Sequence, residues 1–343
     1  MLKPACAERQ EPILVLGDPA FSLVAKRFNR TTDRAGRLLV FNERYGDMEI
    51  RDSLPESAHH RADCPAWTNR DLGVGIGIHQ LHYPDFLASR QPVDWVEVHT
   101  EDYLADGGYD LHVLEQVRRD YPLSFHGAGL SIGSTGPLDK NHVGHIASLV
   151  ERFQPALVSE HLSWSVSLTR HLYDALPLPF TAESLDVVAR HVDQIQSALK
   201  RTLLVENITR GVCFRQDEMT ESEFLSELVG RTGCAILVDI SNLYESQTQR
   251  GDDAFEALAR LPADAVMEIH VSARQRRTHS VADHYADGVC TDVWRLYGSA
   301  VERFGGVSTL IECEGDAASL SSLLNEASTA RHVAEVFGVR RAE

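Results

Sequence analysis

Leu157-Val158-Ser159-Glu160-His161-Leu162-Ser163-Trp164 begins as an apolar run and ends in a carboxylate, an imidazole and a hydroxyl. Seven other short hydrophobic segments also run out into Glu, Asp, His or Asn. The first ends near His79 and His82, the second in Glu97, His99, Glu101 and Asp102, and the third in His126. The fourth supplies Glu160 and His161, the fifth Glu206 and Asn207, and the sixth Asp239 and Asn242. The seventh gives His270 and a following loop with Asp283 and His284; the eighth gives Glu312 and Glu314. One such residue alone reads as a loop hydrogen-bonder. Eight converging ends read differently, because clustered carboxylates repel and raise one another's pKa. Bound cations remove that penalty. With three or four imidazoles and four or five carboxylates, two or three ions fit better than one. His mixed with Asp, Glu and Asn suits iron or manganese, and the absence of Cys ligands argues against structural zinc. Phosphate-ester hydrolysis, sugar isomerisation and dioxygen activation all remain open to such a site.

Positioning these ends requires a repeating scaffold. The β-rich segments fall at 73–78, 95–99, 123–129, 157–164, 202–207, 235–241, 266–271 and 309–312. Between or after them, 110–121, 142–153, 182–199, 221–229, 253–261, 291–304 and 317–337 carry apolar residues at helical spacing. Thr220-Glu-Ser-Glu is a capping box, and Gly233 closes the same helix. Strands alternating with helices imply parallel pairing through right-handed crossovers. Eight units over about 270 residues predict an α/β fold, a (β/α)8 TIM barrel, with its chemistry at the C-terminal ends of the strands. No G-x-G-x-x-G opens a helix; Gly73-Val-Gly-Ile-Gly lies inside a strand, where glycine gives close backbone approach.

Residues 1–70 break the rhythm and form an N-terminal extension to the catalytic barrel of 71–343. Residues 12–16 and 37–41 are expected strands, with a short helix at 20–28 and a polar linker at 52–70. The extension is either a small module or an arm over a neighbouring surface. Hydrophobic residues make up 43% of the chain and charged residues 24%, a globular balance. With 33 basic and 50 acidic residues, the net charge of −17 speaks against a nucleic-acid partner. Six scattered cysteines without a C-x-x-C pair read as reduced thiols. No signal pattern and no apolar run of about 18 residues is present, so a cytoplasmic protein with no membrane partner is expected.

Six motifs now match a known family in order and spacing, across residues 72–324. They are Trp95-Val-Glu-Val-His-Thr-Glu-Asp-Tyr, Leu123-Ser-Phe-His-Gly-Ala-Gly-Leu-Ser-Ile-Gly, Leu157-Val-Ser-Glu-His-Leu-Ser-Trp, Leu203-Leu-Val-Glu-Asn, Leu237-Val-Asp-Ile-Ser-Asn and Glu268-Ile-His-Val. They resemble the multinuclear non-haem iron-dependent oxidative enzymes, a TIM-barrel family that includes the methanobactin-maturing oxidase. The resemblance implies two or three iron ions, Fe(II) and Fe(III) in a mixed-valent pair, with dioxygen as co-substrate. It implies a residue of a ribosomally made precursor peptide as substrate, typically a cysteine, which binds iron through its thiolate and loses a hydrogen from Cβ. A separate partner protein that holds the peptide is common among relatives.

Residue by residue, the resemblance assigns His126, Glu160, His161, Glu206, Asn207, Asp239, Asn242 and His270 to the iron shell, adds Asp283 and Glu312, and puts His82 and Glu101 at the mouth toward metal or substrate. Glu160 and His161 are adjacent, so both reach one site only if the strand has broken into loop there. The chain departs from the family in three places. Tyr285 stands where relatives have the His of Asp-x-His, so either His284 takes the ligand role or one metal position is altered. Arg274 replaces a second loop histidine, and Gln249-Arg250-Gly251 replaces Asn-His-Gly. The basic run from Arg274 to Arg277 either attracts an acidic peptide or a C-terminal carboxylate, or is a solvated loop. Two other functions compete with the oxidase: a divalent-metal hydrolase or isomerase on the same barrel, and a non-catalytic metal- or peptide-binding relative.

Overall fold

The computed structural model describes residues 30–32, 38–40, 71–167, 170–273, 288–313 and 318–338. The chain divides into two compact units, Met1–His60 and Arg61–Glu343. In the first, β1 (Arg30–Thr32) pairs antiparallel with β2 (Leu38–Val40), with Thr31 opposite Leu39. The strand expected at 37–41 corresponds to β2. The expected strand at 12–16, the helix at 20–28 and the linker at 52–70 lie outside the described residues.

The second unit is a closed barrel of eight parallel strands. Its members are β3 (Val74–Gly77), β4 (Val96–His99), β5 (Leu123–Gly127), β6 (Leu157–His161), β9 (Leu204–Glu206), β10 (Ala235–Asp239), β11 (Val266–Ala273) and β12 (Ser308–Cys313). They pair in that order, and β12 closes on β3. A two-stranded hairpin, β7 (Trp164–Ser167) and β8 (Arg170–Leu176), is inserted after β6. The Ser131 hydroxyl secures it by accepting the Ser165 and Val166 amides. Outside the strands lie α1 (Tyr83–Ala88), α2 (Tyr109–Asp120), α3 (Lys140–Phe153), α4 (Ala182–Leu199), α5 (Glu221–Thr232), α6 (Ile240–Arg250), α7 (Ala254–Arg260), α8 (Thr291–Phe304) and α9 (Leu320–Gly338). This is the expected (β/α)8 architecture. Among the described residues, no helix is long and apolar enough to cross a membrane.

Local chemistry sets the helix ends. Thr220 and Glu223 form the capping box that starts α5, and Gly233, at φ 66°, ends it in the left-handed region that glycine adopts without strain. Periodicity does not point to two of the helices, α1 and α6. The second is informative: Asp239 ends β10 and at once caps α6, its side chain accepting the Ser241 and Asn242 amides. Strand and helix meet there with no loop between them.

Alternation along the strands builds two separate interiors. Val96, Val98, Phe125, Val158, Val205, Ile236, Val238, Ile269 and Ile311 join the large core between strands and helices. A smaller cluster of Leu157, Leu204, Ala235, Leu237 and Met267 forms an apolar floor inside the barrel. One register shift reconciles floor and mouth. Ile236 pairs with Val266 but Leu237 pairs with Glu268, so Met267 is an extra residue in β11. Met267 thereby joins the floor, while Glu268 and His270 still point inward above it.

Candidate metal centre

Inward positions at the C-terminal ends of β5, β6 and β9 bring His126, His161 and Glu206 together. The His126 and His161 Nε2 atoms lie 3.3 Å apart, and Glu206 Oε2 is 3.3 Å from the first and 3.2 Å from the second. His126 Nδ1 meets the Ser159 hydroxyl at 2.8 Å, which leaves Nε2 to face the other two groups. Burial, reinforced by the neighbouring rings of His161, His270 and His99, holds the His126 pKa well below the ordinary value. Burial also lowers that of His161. These are neutral imidazoles whose Nε2 atoms face a carboxylate oxygen, Glu206 Oε2, that lacks a hydrogen-bond partner.

A second group lies beside it. His270 Nδ1 is 3.5 Å from Glu312 Oε2 and 3.9 Å from Glu206 Oε1, so Glu206 faces one set of ligands with each oxygen. His270 Nε2 is 3.3 Å from Glu268 Oε1 and 3.6 Å from Glu97 Oε2. Burial alone would lower the His270 pKa, but Glu97, Glu268 and Glu312 push it well above its ordinary value. Glu312 is held down to about 2: burial opposes this, and the hydrogen bond and charge of His270 outweigh it. Burial pushes Glu206 well up, and Asp239, Glu312 and Glu97 act in the same direction. Two triads, His126–His161–Glu206 and Glu97–Glu268–His270, therefore have the donor types and spacing to hold a metal ion. Three donor atoms separated by 3.2–3.3 Å fit one divalent ion with bonds of about 2.0–2.1 Å. An ion in the first triad would satisfy the unpartnered Glu206 Oε2 and one in the second the unpartnered Glu268 Oε2, whereas the unpartnered His270 Nδ1 faces Glu206 and Glu312 instead.

Other residues expected at the site have different surroundings. β6 stays regular through His161, and the structure does not bring Glu160 into either triad. Its Oε2 accepts the Leu130 amide at 3.0 Å and its Oε1 the His161 amide at 3.1 Å. Burial and then Glu101 push its pKa well up. The Asn207 side chain accepts the Asp239 amide and donates to the Asp239 carbonyl; that of Asn242 donates to the Asn207 carbonyl. Asp239 Oδ1 receives the Ser241 and Asn242 amides. These three residues tie β9 to β10 and α6.

His82 is 1% exposed and bonded at both ring nitrogens, to the His79 amide and the Ala318 carbonyl. Glu101 accepts the Ala128 and Gly129 amides and contacts His142 Nε2 at 3.3 Å. Burial alone would raise its pKa, but these partners, His142 foremost, hold it below its ordinary value. Arg274, Asp283, His284 and Tyr285 lie outside the described residues. The sequence places His79, Glu97 and His99 among the polar ends but gives them no part in the metal shell, and Glu268 enters only within the Glu268-Ile-His-Val motif, without a role. The signal for the two acids is present as Glu97-x-His99 and Glu268-x-His270, a period-two step down from a strand-end histidine. His79, Glu97, His99 and Glu312 line a small cavity beneath the mouth, together with Gly77.

Fold and site together define a (β/α)8 barrel with buried imidazole–carboxylate groups fit to hold metal. Residues 73–335 match the family described as RiPP precursor modification enzyme MbnB/TglH/ChrH, and the chain belongs to that family of enzymes. A UPF0276 protein of Anaeromyxobacter sp. (strain Fw109-5) is 42% identical over 79% of this chain and 95% of its own length. One from Chromobacterium violaceum is 42% identical over 76% and 94%. Among solved structures, D-psicose 3-epimerase from Clostridium cellulolyticum H10 superposes with a TM-score of 0.53 at 12% identity, covering 78% of this chain and 99% of that one. Endonuclease IV from Thermus thermophilus gives 0.52 at 14%, covering 77% and 99%. Likeness at such low identity speaks to the barrel alone.

Proposed function

We propose that this chain is an iron-dependent oxidase that uses dioxygen to modify a residue, a cysteine by preference, of a ribosomally synthesised precursor peptide. The observation that carries the reading is the two-sided engagement of Glu206. One oxygen meets His126 and His161, and the other faces His270 near Glu312, which supports at least two adjacent metal positions. His126, His161, Glu206, His270, Glu312 and Asp239 would hold two or three irons, with Asp283 and His284 completing the shell from the loop after β11. Glu160, Asn207 and Asn242 brace these ligands. Bound iron in a mixed-valent Fe(II)/Fe(III) state would supply the redox chemistry and the affinity for a thiolate.

The chain's own groups do the rest. Neutral His126 and His161 need lose no proton to become ligands, and Glu206 offers one oxygen to each side. The apolar floor closes the barrel below and excludes water, while Glu101 and Arg274 would meet the peptide at the mouth. Protein purified under argon should hold about two or more irons. It should consume dioxygen only when a cysteine-bearing precursor peptide is added. Turnover under argon with manganese or zinc would mark a hydrolase or isomerase instead, and the absence of bound metal would end the proposal.

A further inference from the structure

Two carboxylates, Glu97 and Glu268, lie on the Nε2 side of His270. Glu268 and His270 are both 0% exposed and Glu97 is 4% exposed, so all three are removed from water. The ring of His270 stands between two pairs of acids. Nε2 faces Glu268 Oε1 at 3.3 Å and Glu97 Oε2 at 3.6 Å, and Nδ1 faces Glu312 Oε2 at 3.5 Å and Glu206 Oε1 at 3.9 Å. Behind the lower pair, the Ser124 hydroxyl donates to Glu97 Oε2 at 2.9 Å. Below that lies the apolar floor of Leu157, Leu204, Leu237 and Met267.

We infer that Glu268, supported by Glu97 and Ser124, is a positioning residue that makes His270 bind metal through Nδ1. This rests on the reading of His270 as a ligand. An imidazole that donates a proton from one nitrogen presents a lone pair at the other, and a carboxylate that accepts that proton fixes both the tautomer and the ring plane. The lower acids accept the Nε2–H. Nδ1 is then turned toward the side where Glu206 and Glu312 await a cation. The opposite arrangement, with a cation among Glu97, Glu268 and Nε2, would aim an Nδ1–H at Glu206 and Glu312.

Nitrogen-15 histidine spectra of the full chain loaded with zinc separate these arrangements. The expected result is a His270 Nε2–H proton slow to exchange with solvent and a zinc-shifted Nδ1. With cobalt as the probe, Glu268→Ala should weaken binding by about 10–100-fold with the number of bound ions unchanged. Glu268→Gln, which retains an acceptor oxygen, should recover most of that affinity, and Ser124→Ala should cause a smaller loss. An Nδ1–H His270, or the loss of one whole cobalt equivalent in Glu268→Ala, overturns the inference while leaving the metal centre in place. Should Glu268→Ala not fold, the wild-type spectrum and Glu97→Gln decide by the same criteria. A wild-type chain that binds neither metal overturns both this inference and the proposed function.

Discussion

The barrel mouth holds two kinds of histidine. On the β5–β6 side, His126 and His161 sit with a single shared carboxylate, and burial keeps them neutral. On the β11 side, four acids surround His270, and against the opposing effect of burial Glu97, Glu268 and Glu312 push its pKa well up. The first side is ready to bind a cation as it stands. The second holds a proton in a cation's place, so metal must displace that proton. Glu206 belongs to both sides and is where the two meet.

Removing the shared group should have the largest effect. Glu206→Ala takes a ligand from both sides at once and is expected to weaken metal binding at both positions and abolish all turnover, as measured by metal titration and dioxygen uptake. Loss from one side only would break the comparison. Next comes pH. Burial and Glu97 push the Glu268 carboxyl up to about 7, against 4.5 when unburied, so this group holds more of its proton in the folded metal-free chain than in the unfolded chain across that window. The Glu268 contribution to stability should therefore fall as pH rises from about 5 to 7, on the order of 1–3 kcal/mol; His270, raised above 6.5, adds a fall above that pH, while His126 and His161, lowered below it, add a rise that ends there. Melting curves of metal-free protein check the slope, and zinc should raise Tm more at pH 7.5 than at 5.5. Glu268→Gln, which removes this titration, should flatten the fall, and an unchanged profile in that variant would mean that the acids below His270 are not paired in the folded chain. The smallest effect belongs to the neutral side: Ser159→Ala removes the partner of His126 Nδ1 and should weaken cobalt binding about tenfold, leaving the pH slope intact.

The barrel is legible in the sequence because parallel strands buried on both faces read as apolar runs, and their polar ends stand out against them. His126, His161, Glu206 and His270 are visible for that reason. The parts of Glu97 and Glu268 are hidden by the same rule, since each lies within its strand, and only the two-residue step to His99 or His270 marks it as inward. The β6 pair shows a limit of another kind: whether Glu160 shares the face of His161 depends on where the strand ends, which one residue decides. Helix α6 escapes because its apolar stripe is little more than Ile240 and Leu243, and its start is fixed by Asp239, a residue also wanted at the mouth.

Met267 is an extra residue in β11. In β11 the floor and the ligand ring are out of phase by one position, and the bulge acts as the half-step that lets one strand serve both. A chain shortened by one residue there would keep its composition and its pairing partners, yet would have to choose which storey to furnish. Either the floor would lose its methionine, or Glu268 and His270 would turn outward into the helices. The length of β11 is tuned to the residue.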